Sequence, residues 1–174
     1  MVLQGGSRMN YYSMRKYDIA NAPGISSTLF VCGCNLNCKG CFNKELQDFN
    51  YGKLFNEEAK QKFLSYVKDD KVTSVSLLGG DFVQQNTQEA IELLKELVVI
   101  GKPIWCWTGF SLEELANMDD KIQILSYIDV LVDGRFVQNQ LNLSLKYRGS
   151  SNQRVINMKE TIKKREIILW EEVK

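Results

Sequence analysis

A chain of 174 residues with 44% hydrophobic content is long enough to bury a sizeable core, and it is read as one domain over residues 9–174. Its 22 Lys and Arg stand against 21 Asp and Glu, a formal net charge of +1, so no basic surplus points to nucleic acid or to an anionic membrane surface. The apolar runs fall short of a membrane span and the N-terminus lacks a secretory signal's apolar stretch, which predicts a soluble, cytoplasmic protein.

Residues 1–8 read as a vector-derived leader ahead of Met9 and are set aside. The first predicted element is a buried strand at 28–31 that runs into a cysteine-rich loop. An amphipathic helix is expected at 56–68, with Ala59, Phe63, Tyr66 and Val67 on one face. A β-prone run at 72–78 stops at Gly79 and Gly80. Asn86, with Glu89 three residues on, forms an N-cap pair for a helix carrying Ile91, Leu94 and Val98 on its apolar face, ended by Gly101 and Pro103. Residues 104–107 make a short strand. Ser111 and Glu114 then form a capping box flanked by Phe110 and Leu115 at staple positions, so a helix should begin near Leu112. Another strand is expected at 128–132, followed by a turn at Asp133, Gly134 and Arg135, a polar stretch to Asn152, and two late strands near Val155 and at 167–170.

Strands alternating with helices imply an α/β fold with a mainly parallel sheet or a partial barrel. In such folds the functional loops lie at the carboxyl ends of the strands. Four loops qualify: the cysteine loop, Gly79 to Asp81, Thr108 to Phe110, and Asp133 to Arg135. Each alone is ordinary turn chemistry, but their joint placement predicts one shared rim.

The absence of His excludes imidazole ligands and imidazole acid-base catalysis. Four of the five cysteines, Cys32, Cys34, Cys38 and Cys41, crowd into one loop, which favours a metal or redox site over a disulfide framework. Cys34, Cys38 and Cys41 have C-x3-C-x2-C spacing and suit three corners of a cubane cluster, leaving one iron open to a small molecule. A closed zinc site with Cys32 as fourth thiolate is the alternative. Read singly, Cys32 and Cys106 are small core residues.

Cys34, Cys38, Cys41 and Phe42 together resemble the defining loop of the radical S-adenosylmethionine (SAM) superfamily, and Gly79-Gly80-Asp81 resembles its Gly-Gly-Glu motif. A narrower resemblance, from about Ile19 to Ile156, is to anaerobic ribonucleoside-triphosphate reductase activating proteins. It rests on Asp133 to Phe136, on Arg148 to Val155 and on Ile104 to Phe110. Leu36, Phe42 and Phe82 stand where that family often has His, Tyr and Pro.

The resemblance implies a partial, open (β/α) barrel of radical SAM type. It also implies one [4Fe-4S] cluster held by Cys34, Cys38 and Cys41, with SAM chelating the open iron. Gly79, Gly80 and Asp81 would line the methionine end of SAM, the Asp81 carboxylate pairing with its amino group, while Gly40, Cys41 and Phe42 would contact the adenine side; Phe42 as ordinary packing is the other reading. Reductive cleavage would give a 5'-deoxyadenosyl radical that abstracts hydrogen from a glycine of the reductase large subunit, with flavodoxin or a similar electron donor. No catalytic side chain is then required, because the cofactor carries the chemistry. The polar segment from Arg148 to Arg154 is either a solvated loop or a contact with substrate or partner through Arg148 or Arg154. The competing functions are an activase for another glycyl radical enzyme, such as pyruvate formate-lyase, and a non-catalytic iron-sulfur or zinc binding module.

Overall fold

Leu29, Phe30 and Val31 follow one another after three small hydroxyl residues, and a continuous apolar run of this kind buries both faces when it is extended. In the computed structural model, which describes residues 8–171, this run is β2 (Ser26–Cys32), near the middle of a seven-stranded sheet. The others are β1 (Asn10–Asp18), β3 (Lys53–Leu54), β4 (Ser74–Gly79), β5 (Ile104–Trp107), β6 (Val130–Asp133) and β7 (Arg154–Asn157). Their order is β3-β1-β2-β4-β5-β6-β7. Of the residues read as a leader, 1–7 lie outside the described residues; Arg8 is within them, its Nε donating to Glu89 Oε1 at 3.2 Å.

The expectation of a mainly parallel sheet is corrected to a mixed one. β2, β4, β5 and β6 are parallel, while β1 pairs antiparallel with β2 and β3, and β7 antiparallel with β6. The connections explain the difference. Crossovers carrying α1 (Glu57–Val67), α2 (Thr87–Ile100), and α3 (Leu112–Leu115) with α4 (Asp119–Leu125) return the chain parallel. Between β1 and β2, and between β6 and β7, no α-helix intervenes, and the chain turns back on itself.

Two helix faces differ from the expected ones. α2 buries Ala90, Leu93, Leu94 and Leu97, while Val98 is 49% exposed, because the stripe starts at the small Ala90 and not at Ile91. α1 buries Leu64 beside Ala59, Phe63 and Val67, and Tyr66 is only half-buried. The caps of α2 and α3 stand where the sequence puts them. Asn86 accepts from Glu89 N–H, Gly101 closes α2 at φ +85°, and the Ser111–Glu114 box is reciprocal with Phe110 and Leu115 both buried; Asn56, expected as the first helical residue, instead caps α1 by accepting from Ala59 N–H. The late strand expected at 167–170 reduces to a single bridge between Ile156 and Leu169, and α5 (Met158–Lys164), not expected, follows β7 directly.

The helices pack one sheet face into the main core, where Leu29, Val31, Val75, Leu77, Cys106 and Leu131 meet Phe63, Leu94 and Ile124. The period of two along each strand turns the alternate residues to the other face. There Trp105, Val130, Val132 and Val155 form a smaller cluster, and Phe30, Leu78 and Trp107 border an opening. Among the described residues, no helix is long and apolar enough to cross a membrane.

Candidate functional site

The four loops do share a rim. A cavity of about 490 Å³ opens at the carboxyl ends of β2, β4, β5 and β6. Its wall takes Cys34, Cys38 and Cys41 from the loop after β2, Gly79 and Gly80 from the end of β4, Thr108 and Gly109 after β5, and Gly134 after β6. The cysteine loop is pinned at its base by the 3-10 turn Lys44–Gln47, Gly33 N–H donating to Leu46 O at 2.7 Å and Cys34 N–H to Gln47 O at 3.0 Å. Cys41 N–H closes a turn on Cys38 O at 3.2 Å, and Asn43 Nδ2 ties the far end of the loop to Gly79 O at 3.1 Å.

The remaining expected site residues divide. Phe42 is in the cavity wall, 65% exposed, with its ring 5.0 Å from that of Phe136, so it is not a core residue. Gly40 lies outside the wall, at φ +74°, where a Cβ would stand 2.9 Å from the Gln138 side chain. Asp81 lies beneath the wall and not on it, with 1% exposure. Its Oδ1 accepts from Val83 N–H at 3.0 Å, and its Oδ2 accepts from Thr108 Oγ1 at 3.0 Å, Gly109 N–H at 3.1 Å and Gln84 Nε2 at 3.1 Å. Burial pushes its pKa up and these donors pull against the rise. As it stands, the carboxylate fixes the β5 loop, and it would have to release donors to pair with a ligand amino group.

Burial pushes the Cys34 thiol up to about 11, with the Asp81 charge adding to the effect, so metal ligation there must displace a proton. Cys32 is buried at the strand end on a different side, its Sγ 3.0 Å from where a Gly52 Cβ would be, and is absent from the cavity wall. Cys106 is buried in the main core. Among the described residues, no three His, Cys, Asp or Glu side chains are grouped closely enough to hold a single metal ion. A cubane takes each thiolate on a different iron, so three cysteines spread along one wall, with the fourth set apart, fit a site-open cluster better than closed zinc.

Sequence reasoning missed two features of the cavity. Arg15, from β1, reaches the wall with its guanidinium 4.9 Å from the Phe30 ring centroid; the Tyr-rich run from Tyr11 to Tyr17 was the available strand signal. Trp107 also borders the cavity, its Nε1 donating to Tyr147 O at 2.7 Å. The segment from Arg148 to Arg154 is no solvated loop. Gln153 Oε1 accepts from Gly149 and Ser150 N–H, and its Nε2 donates to Gly134 O. The two arginines part company: Arg154 pairs with Asp133 and Glu113 outside the wall, whereas Arg148 is in it, Nη1 donating to Gln153 O at 2.8 Å while Nε is buried with no partner among the described residues. Among the described residues, the charged side chains in the wall are Arg15 and Arg148, and no carboxylate joins them.

Known proteins resemble this chain over most of its length. Residues 20–156 match the family model described as a 4Fe-4S single cluster domain. A protein of Vibrio cholerae is 40% identical over 151 residues, covering 83% of this chain and 96% of the relative. One of Escherichia coli K12 is 38% identical over 156 residues, covering 87% of this chain and 100% of the relative. One of Enterobacteria phage T4 is 33% identical over 150 residues, covering 84% and 93%. All three carry the same name, anaerobic ribonucleoside-triphosphate reductase-activating protein.

Proposed function

This chain belongs to the family of anaerobic ribonucleoside-triphosphate reductase-activating proteins, and we propose that it is a radical SAM activase acting on the large subunit of that reductase. In this reading it holds one [4Fe-4S] cluster on Cys34, Cys38 and Cys41 and binds SAM in the adjoining cavity. It works in the cytoplasm with an external donor such as flavodoxin. The observation that carries the reading is the meeting of three thiols, glycine backbone and two guanidiniums around a single cavity of ligand size.

When bound, the cluster and SAM supply a one-electron reduction of the sulfonium and, from it, hydrogen abstraction from a glycine of the partner. The residues of the chain bind, orient and shield. Gly79 and Gly80 let a ligand approach the backbone at the end of β4. Arg148 offers a buried Nε–H with no partner among the described residues, and Arg15 a second cation, both suited to a carboxylate such as that of SAM. Asp81 holds Thr108 and Gly109 in the wall. Phe42 and Phe136 supply apolar surface beside Cys41 for a ligand to cover. In this reading the seven-stranded sheet, which ends at β3 on one side and β7 on the other, is the partial barrel of radical SAM type and leaves an open side for a protein segment.

The test is 5'-deoxyadenosine release from SAM by anaerobically reconstituted, dithionite-reduced protein, beside Cys38→Ala. Release that depends on Cys38, and a glycyl radical signal on added reductase, are expected. A fully assembled cluster that yields no product would overturn the reading in favour of a binding module.

A further inference from the structure

Gln84 ends the 3-10 turn Phe82–Gln84 and is 7% exposed. Its amide has three partners. Oε1 accepts from Asn35 N–H at 3.1 Å, and Nε2 donates to Asp81 Oδ2 at 3.1 Å and to Cys34 Sγ at 3.3 Å. These partners fix which end is nitrogen. A flipped amide would turn its oxygen toward a carboxylate and a sulfur, both acceptors, and its NH2 toward the Asn35 N–H, a donor. The N–H therefore points at the sulfur.

Hydrogen bonds to ligand sulfurs are one of the means by which a protein sets a cluster's potential, and the residues supplying them orient the ligands as well. We propose that Gln84 is a positioning residue that raises the reduction potential of the cluster through its N–H···S hydrogen bond to Cys34. The inference rests on Cys34 being a cluster ligand, as proposed above. Reduction brings in one electron from an external low-potential donor; no bond to the protein breaks and no proton is taken up. The added negative charge is shared by the sulfurs, so a donor on Cys34 stabilises the reduced state more than the oxidised one.

The setting sharpens the effect. Asp81 is the nearest carboxylate on the other side of the same amide, and a negative charge there disfavours reduction. Gln84 stands between the two, donating to both. Asp81 in turn binds Thr108 and Gly109 of the cavity wall, so an unbroken run of hydrogen bonds joins a cluster ligand to the surface that a bound cofactor would touch.

The test compares the full chain with Gln84→Met, of similar length but without a donor, and with Gln84→Glu at alkaline pH, which turns an acceptor toward the sulfur. Each is reconstituted anaerobically, assayed for iron and sulfide, and titrated against redox mediators while the reduced cluster is followed by electron paramagnetic resonance. Full iron content is expected throughout, with the reduction equilibrium about tenfold less favourable in Gln84→Met, a shift of about 59 mV for a one-electron couple. Gln84→Glu should shift further in the same direction, its added charge reinforcing the lost donor, and Gln84→Leu, uncharged and without a donor, carries the test if Gln84→Met does not fold. Unchanged potentials at full iron content overturn the proposal, as does a fall in iron content or unfolding midpoint with the potential unmoved, the mark of a merely structural role. Failure of the parent chain to assemble any cluster would instead overturn the underlying assignment of the cysteines.

Discussion

Gly80→Ala should loosen the base of the cysteine loop. A Cβ at this position would lie 2.6 Å from Gly33 O, 2.7 Å from Leu46 O and 2.8 Å from Gly33 N. All three are backbone atoms flanking the Gly33 N–H···O Leu46 hydrogen bond, so no side-chain rotation relieves the contact. Either the end of β4 or the loop must move. Overpacking of this kind costs about 1–3 kcal/mol, and losing the Gly33–Leu46 bond adds about 1 kcal/mol. The expected loss, about 2–4 kcal/mol, is a large share of the roughly 5–15 kcal/mol that holds a domain folded. Gly101→Ala is the control. Its φ of +85° is unfavourable for alanine, but nothing lies within 4 Å of the added Cβ, so only the conformational cost of about 1–2 kcal/mol applies. Urea unfolding of the cluster-free proteins gives both values, and iron uptake under anaerobic reconstitution shows whether the loop is displaced. Equal costs for the two variants, with equal iron uptake, would refute the close-approach argument.

Asp81→Ala removes the acceptor of four hydrogen bonds, from Val83, Gln84, Thr108 and Gly109, and should cost at least about 3 kcal/mol. Asp81→Asn, which can keep an oxygen toward Thr108, Gly109 and Gln84, should cost about 1–3 kcal/mol by thermal or urea unfolding; an Ala variant as stable as the parent would contradict the role given to this carboxylate. Cys38→Ala should lose the cluster, whereas Cys32→Ala should keep its iron and lose about 1 kcal/mol of stability; iron and sulfide analysis decides, and equal iron loss would indicate four thiolate ligands. Hydrogen bonds from Arg154 hold the Glu113 carboxyl down at about 2. The folded pKa is below the unfolded one, so the contribution is present above about pH 4.5 and fades as the pH falls toward 2. The Glu113 side chain is 60% exposed, and screening limits the effect to under about 1 kcal/mol. Glu113→Gln should therefore lose slightly less stability than the parent between pH 7 and pH 3; an equal loss would show that the pair contributes nothing.

What was legible in the sequence had local causes. Caps such as Asn86 and Ser111 act within a turn, and the spacing of Cys34, Cys38 and Cys41 declares a common loop. The parallel strands could be read from continuous apolar runs. β1 could not, because its tyrosines and charged residues describe a half-exposed strand that only its neighbours β2 and β3 make stable. The α2 face was misjudged because Ala90 and Ile91 compete for the same stripe, and the choice is made by the sheet beneath. The role of Asp81 was hidden for a related reason. A Gly-Gly-Asp turn looks the same whether its carboxylate faces a cavity or folds back onto Thr108, and residues 27 positions away settle the matter.

The aromatic residues on the sheet face away from the helices have an optical consequence. Trp105, Trp107 and Trp170 are the only three tryptophans in the chain, and Trp105 stacks on Trp107 with ring centroids 5.9 Å apart and meets Trp170 edge-to-face at 4.8 Å. Intrinsic fluorescence thus samples the cavity side and the C-terminal return alone, whereas far-ultraviolet circular dichroism is weighted toward the helices of the opposite layer. Followed together through denaturation, the two signals report the faces of the sheet separately, and their coincidence measures how cooperatively the molecule comes apart. With Trp107 at the border of the cavity, the same emission is a label-free gauge of ligand entry.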